Sequence, residues 1–240
     1  MTLATRGVLG QGYAPAAPTE WQYAVGTLRS WSGLTPALVY CHGSGDSTLT
    51  ALAKTGQRPL IDALAQRYAV VAADLGLQAW GNDTHVERIA DAVTFIQAST
   101  GATSRVVLVA GSMGALGALG YARLHPEKVR AVAAIIPALD LADLMLRGAA
   151  GDIDAAYGGA YDDATHGPTH SPVKYAGQLD PSLRVHLWTC NDDTICTPPT
   201  ADAFVAARPQ TIRTNLGALG HSEAAVTAAQ ASVLGWLAST

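Results

Sequence analysis

The sequence predicts an α/β fold, with a mostly parallel central sheet and helices on both faces. Three observations carry that expectation. Short apolar runs alternate with segments of helical spacing along the whole chain, the order expected of strands joined by crossover helices. The runs are apolar throughout rather than every second residue, as in strands covered on both faces. Clusters of Gly, Ser, His and Asp follow several of these runs, where a parallel sheet places its loops for binding and chemistry.

Each element can be read in turn. Residues 21–28 read as an early strand, antiparallel at the sheet edge. Residues 37–40 make a short buried strand after Pro36, and 59–68 have helical spacing through Leu60, Ile61 and Leu64. Residues 69–73 form a strand that ends at Asp74. The clearest helix covers 84–99: Asn82 or Asp83 can cap it, and Val86, Ile89, Ala90, Val93 and Ile96 share one face. Residues 105–110 (RVVLVA) read as a fully buried strand, and 113–124 as a Gly- and Ala-rich helix stopped by Pro126. Residues 130–136 are the next strand, followed by Pro137. Residues 140–182 then break the rhythm with many Gly, Asp, Tyr and Thr and with turns at Pro168 and Pro172, and are expected to form a cap or lid inserted over the carboxyl edge of the sheet. The pattern resumes with a strand at 183–189, a helix at 199–207, a strand at 211–216 and a closing helix at 222–237. Residues 1–240 are expected to form one domain.

Composition narrows the function classes. The chain has 240 residues, 49% of them hydrophobic and 14% charged, which suits a globular protein with a large core. A net charge of −4 argues against nucleic acid or an anionic membrane surface as the main partner. No apolar run reaches the roughly 18–20 residues needed to span a bilayer. Residues 1–18 lack the apolar stretch of a signal peptide, so a cytoplasmic location is expected unless a family resemblance points elsewhere. The three cysteines, Cys41, Cys190 and Cys196, fit a reduced protein, although Cys190 and Cys196 are near enough to pair across a short loop. Their spacing to histidine matches no zinc pattern, and no cofactor motif stands out.

Four local signals carry chemistry. Ala110-Gly111-Ser112-Met113-Gly114 lies between a buried strand and a helix. A serine in such a sharp turn projects its hydroxyl above the sheet, provided that the residues two before and two after are small. Here they are Ala110 and Gly114. A nucleotide-binding turn would need a different glycine spacing. Cys41-His42-Gly43-Ser44-Gly45 follows the 37–40 strand. Such a loop lets backbone N–H groups approach an oxyanion, so Gly43 or Ser44 together with Met113 are the expected donors. His221, in a Gly-rich loop before the last helix, is the expected general base. Of the other six histidines, His42 belongs to the oxyanion loop and is a candidate pocket residue, His85 and His125 are expected on helix surfaces, and His186 lies in a strand. His166 and His170 fall in the insertion and are further candidates for the pocket wall. The acid that orients His221 is expected after the 183–189 strand, at Asp193 rather than Asp192 because Ile195 can anchor that loop; Asp140 is an outside candidate. The order Ser, Asp, His differs from that of the other common serine triads.

With these residues in place the sequence resembles the α/β-hydrolase superfamily from about residue 36 to 237. The resemblance implies Ser112 as nucleophile, His221 as base and Asp193 as acid, with His42-Gly43 similar to the family's oxyanion motif. Two departures are visible: Ala110 replaces the usual first Gly of the serine turn, and Cys190 replaces a Gly often found before the acid. Asp74-Leu75-Gly76, Trp80-Gly81-Asn82 and Ile136-Pro137-Ala138-Leu139-Asp140-Leu141 also resemble a small-hydrolase branch found among actinobacterial and phage proteins. That placement implies possible association with a virion.

The function expected is hydrolysis of a small-molecule or lipid carboxylic ester, extending to cell-envelope esters, by way of an acyl-enzyme and without metal or organic cofactor. Met145, Leu146, Tyr157 and Tyr161 are candidate pocket residues, although the same side chains would equally serve to pack the insertion on the core. A thioesterase or acyltransferase would use the same machinery. A peptidase, or a non-catalytic binding or virion tail component that kept the fold, are the other classes considered.

Overall fold

The computed structural model describes residues 23–25, 36–100 and 105–239. The expectations for residues 1–18, and for 21–22 and 26–28 of the first strand, lie outside the described residues. The strands are β1 (Tyr23–Val25), β2 (Ala37–Cys41), β3 (Ala69–Ala72), β4 (Val106–Gly111), β5 (Val129–Ile135), β6 (Arg184–Thr189) and β7 (Ile212–Asn215), joined in one sheet in the order β1-β3-β2-β4-β5-β6-β7. β1 is antiparallel to β3, and the remaining pairs are parallel.

The helices are α1 (Thr48–Ala53), α2 (Gln57–Leu64), α3 (Asp83–Thr100), α4 (Gly114–Leu124), α5 (Leu141–Leu144), α6 (Ala150–Ala156), α7 (Gly167–His170), α8 (Pro172–Tyr175), α9 (Pro198–Ala207) and α10 (Glu223–Ala238). Successive strand residues point to opposite faces. Leu38, Tyr40, Val107 and Val109 pack with Leu60, Ile61 and Leu64 of α2 and Val233 of α10. Val39, Leu108, Ala110 and Val132 pack with Ile89 and Ile96 of α3, Leu119 of α4 and Phe204 of α9. Both faces are thus covered, which explains the unbroken apolar strands. Each fully buried Leu or Ile contributes on the order of 1.5–3 kcal/mol.

The sequence expectation did not include α1. It begins at a capping box in which the Ser47 hydroxyl accepts from Thr50 N–H at 3.3 Å and the Ser47 N–H donates to Thr50 Oγ1 at 2.7 Å. The usual Glu or Gln at the third helical position is replaced by Thr, so the signal was easy to miss. No helix of the described residues is long and apolar enough to cross a membrane.

Topology fixes where a ligand belongs. β3 lies on one side of β2 and β4 on the other, so the strand order reverses between β2 and β4. A crevice opens at the carboxyl ends of strands at such a reversal. The loop from His42 leaves β2 there, and Ser112 leaves β4. The stretch between β5 and β6 forms α5, a π-helical turn (Met145–Ala149), α6, α7 and α8. Asp140 caps α5 by accepting from Ala142 N–H at 3.0 Å, which is its role rather than that of a catalytic acid. Leu141, Leu144, Ile153 and Tyr161 pack this stretch on Trp80, Met113 and Leu116.

Candidate active site

Ser112 sits at the turn from β4 into α4 with φ of 49°, a left-handed backbone that non-glycine residues seldom adopt. Its N–H donates to Ile135 O, and its carbonyl accepts from the N–H groups of Ala115 and Ala138, each at 3.0 Å. These bonds hold the strained turn in place. Gly114 shows why the turn needs a glycine, since a Cβ there would lie 2.3 Å from Cys41 O and 2.7 Å from His42 O. Gly43 comes close on the same side, and a Cβ on it would sit 3.4 Å from Ser112 Cβ.

Ser112, His221 and Asp193 lie in one hydrogen-bonded line. His221 Nε2 is 2.8 Å from Ser112 Oγ, and His221 Nδ1 is 2.8 Å from Asp193 Oδ2. Asp193 is buried, and its other oxygen accepts from the N–H groups of Ile195 and Cys196, both at 2.9 Å. Asp192 does not reach the imidazole. It accepts from Gly220 N–H at 2.8 Å and so tethers the loop that carries His221. With Nδ1 donating to the carboxylate, Nε2 is left to accept the serine proton, the arrangement of a hydroxyl activated by a base.

The backbone N–H groups of Met113, Gly43 and Ser44, beside Ser112, have no acceptor among the described residues. They are suited to a developing oxyanion. The Gly43 carbonyl is turned into its own loop, accepting from Asp46 N–H at 3.3 Å and from His42 Nδ1 at 2.9 Å. Leu75 N–H donates to His42 Nε2 at 3.0 Å, so the His42 ring is neutral with its proton on Nδ1. Burial lowers the pKa of His42 and keeps it so. His42 therefore pins the loop from within and is not a pocket residue.

The cavity at Ser112 has a volume of about 260 Å³ and is walled by the β2 loop, α2 and the start of α10. None of the residues expected to shape the pocket lines it. Leu146 is 86% exposed, Tyr161 is buried in the cluster over Met113, and Met145 and Tyr157 pack against that cluster. His166 stacks on Tyr161, and His170 pairs with Asp83 at 3.1 Å. The insertion thus buttresses the serine turn. His85, expected on a surface, is wholly buried against Gly117, where a Cβ would lie 2.6 Å from its ring.

The sequence reading missed a set of polar side chains in the cavity wall. Tyr40 donates to Gln57 Oε1 at 2.9 Å, and the Gln57 amide donates to Asp46 at 3.2 Å and to Glu223 at 3.1 Å. Lys54 Nζ lies 2.7 Å from Asp46. Glu223 also accepts from Gly56 N–H at 2.9 Å, bringing the starts of α2 and α10 together. Asp46 follows directly on the glycine loop and Glu223 comes two residues after His221, which was the available signal. Their meeting with Gln57 spans most of the chain.

All three cysteines are free and buried. The thiol of Cys196 lies against Ser112, and burial together with the Asp193 carboxylate pushes its pKa well up. Among the described residues, Asp193, Cys196 and His221 form the one group whose donor atoms could together hold a metal ion, within 4.8 Å of one another. Two of the three already satisfy each other in the Ser112 line.

A strand-turn-helix serine beneath a β2 glycine loop defines an α/β protein of hydrolase type. The chain belongs to the alpha/beta hydrolase fold family, whose model matches residues 36–186. A search of the curated proteins finds no match. Among solved structures, fluorophosphonate-binding serine hydrolase F of Staphylococcus aureus superposes with a TM-score of 0.75 at 14% identity, covering 93% of this chain and 94% of that one. An esterase of Pyrococcus furiosus gives 0.64 at 16% identity, covering 91% and 83%. A ferulic acid esterase gives 0.65 at 16% identity, covering 85% and 84%. At these identities the likeness is one of fold.

Proposed function

We propose that this protein is a serine hydrolase of small carboxylic esters. The observation that carries the reading is the Ser112–His221–Asp193 line, with 2.8 Å at both links, beside the N–H groups of Met113, Gly43 and Ser44, which have no acceptor among the described residues. Ser112 Oγ bonds to the acyl carbon as its proton passes to His221 Nε2. The carbonyl oxygen becomes an oxyanion and accepts from the N–H of Met113 and from that of Gly43 or Ser44. His221 then gives the proton to the leaving oxygen as the carbon–oxygen bond breaks. Water, deprotonated by His221, releases the acid and restores Ser112. Asp193 holds the ring and stabilises its positive charge. These residues supply every proton movement required.

The cavity of about 260 Å³ beside Ser112 has room for one small group of the ester. The test is hydrolysis of p-nitrophenyl esters from acetate to palmitate by wild type and Ser112→Ala. Wild-type turnover that falls at least a thousandfold in the variant is expected. Wild-type turnover that survives in Ser112→Ala would remove the mechanism.

A further inference from the structure

The leaving oxygen must lie beside His221 Nε2 to take its proton. His221, Ser222 and Glu223 line the cavity together with Ser112, so an alcohol leaving beside His221 Nε2 has this cavity open to it. Within the cavity it meets Tyr40, Asp46, Lys54, Gln57 and Glu223, already linked by hydrogen bonds. An alkyl group there would strip water from the partly exposed Glu223 carboxylate and Lys54 ammonium and return no hydrogen bonds. Hydroxyl groups both donate and accept, so they can replace that water at the Glu223 carboxylate and at the lysine.

We propose that this cavity receives the alcohol part of the ester and selects a small polyhydroxylated alcohol, glycerol- or sugar-like, over an alkyl one. The inference rests on the ester-hydrolase reading above. It assigns Glu223, Gln57 and Lys54 as specificity-determining residues, a role separate from the proton transfers at His221.

The experiment uses the full chain and three acetates, so that the acyl group and the acyl-enzyme are constant. p-Nitrophenyl acetate reports the hydrolase reading by itself. 1-O-Acetylglycerol and pentyl acetate, similar in length, report the alcohol preference by pH-stat. The expected kcat/KM for acetylglycerol is at least tenfold above that for pentyl acetate. Lys54→Met and Glu223→Gln should each bring the ratio to within about threefold of unity; being a ratio within one variant, it is insensitive to the fraction of active protein. Turnover of p-nitrophenyl acetate with acetylglycerol no better than pentyl acetate, or with neither accepted, would overturn the alcohol preference alone. An unchanged ratio in both variants would overturn the assignment of these residues. No turnover of p-nitrophenyl acetate would overturn the hydrolase reading and this inference with it.

Discussion

His221 takes its orientation from Asp193, not from the adjacent Asp192: the imidazole Nδ1 lies 2.8 Å from Asp193 Oδ2, while Asp192 accepts from the backbone N–H of Gly220. The two carboxylates therefore carry different consequences. Asp193→Asn presents an amide that can turn its N–H toward Nδ1, leaving the base in the wrong tautomer. An expected loss of about a thousand- to ten-thousandfold in kcat follows. Asp192→Asn keeps an oxygen for Gly220 and should stay within a fewfold of wild type. Steady-state kinetics of both variants on one ester decide it, and equal losses would contradict the assignment.

Gly114 and Gly151 make a paired test of packing. A methyl on Gly114 would meet the Cys41 carbonyl, which is backbone and cannot move aside. Gly114→Ala should destabilise by about 1–3 kcal/mol and abolish turnover, because the shift it forces runs through Ser112 and the oxyanion loop. Gly151 lies in α6, and a methyl added to it would meet nothing within 4 Å, so Gly151→Ala should stabilise by about 0.5–1 kcal/mol. Thermal melts should move in opposite directions.

Much of this architecture was legible because it is local. The strand at 106–111 announces itself by an unbroken apolar run, and the Ser112 turn by its small flanking residues. His221 could be picked out because chain order places it after the last strand. The polar wall was not legible, since Gln57 and Glu223 meet only when α2 and α10 pack on the same face of the sheet. The stretch at 140–182 left two readings open for a different reason. Tyr157 and Tyr161 have the size and polarity of pocket residues, yet the same properties suit them to seal a helical layer over Met113 and Leu116. Burial against the core decided between those uses, and sequence spacing carries no information about it. His85 was placed on a surface because the gap left by Gly117, on a different helix, could not be foreseen.

Three buried histidines, His42, His85 and His186, make stability fall as the solution is acidified. Burial lowers the pKa of His85 to about 3 and that of His186 to about 4, from 6.5 for a free histidine. The folded form therefore stays neutral where the unfolded chain takes up a proton. Stability is intact above pH 6.5 and is lost as pH falls from there toward about 4 for His186 and about 3 for His85. Between pH 7 and pH 5 His85 and His186 should each contribute a loss of about 2 kcal/mol. Urea unfolding at the two pH values measures the total. His186→Asn removes one titrating group, so its loss over the same interval should be about 2 kcal/mol smaller whatever its absolute stability. An unchanged difference would mean that His186 does not titrate in this way.

Cys196 is next to Ser112 but should not behave as a reactive thiol. Only the thiolate attacks alkylating reagents, and burial together with the Asp193 carboxylate keeps this group protonated. The side chain is also packed in the apolar cluster of Met113, Leu116 and Leu141, away from solvent. Ester turnover should therefore survive an hour in millimolar iodoacetamide at pH 8, while an organophosphonate, which reacts with an activated serine, should stop it and leave its mass on Ser112. Mass spectrometry after each treatment identifies the residue modified. Rapid inactivation by iodoacetamide that disappears in Cys196→Ala would show the thiol to be ionised and accessible, and the electrostatic account of that corner of the site would have to be withdrawn.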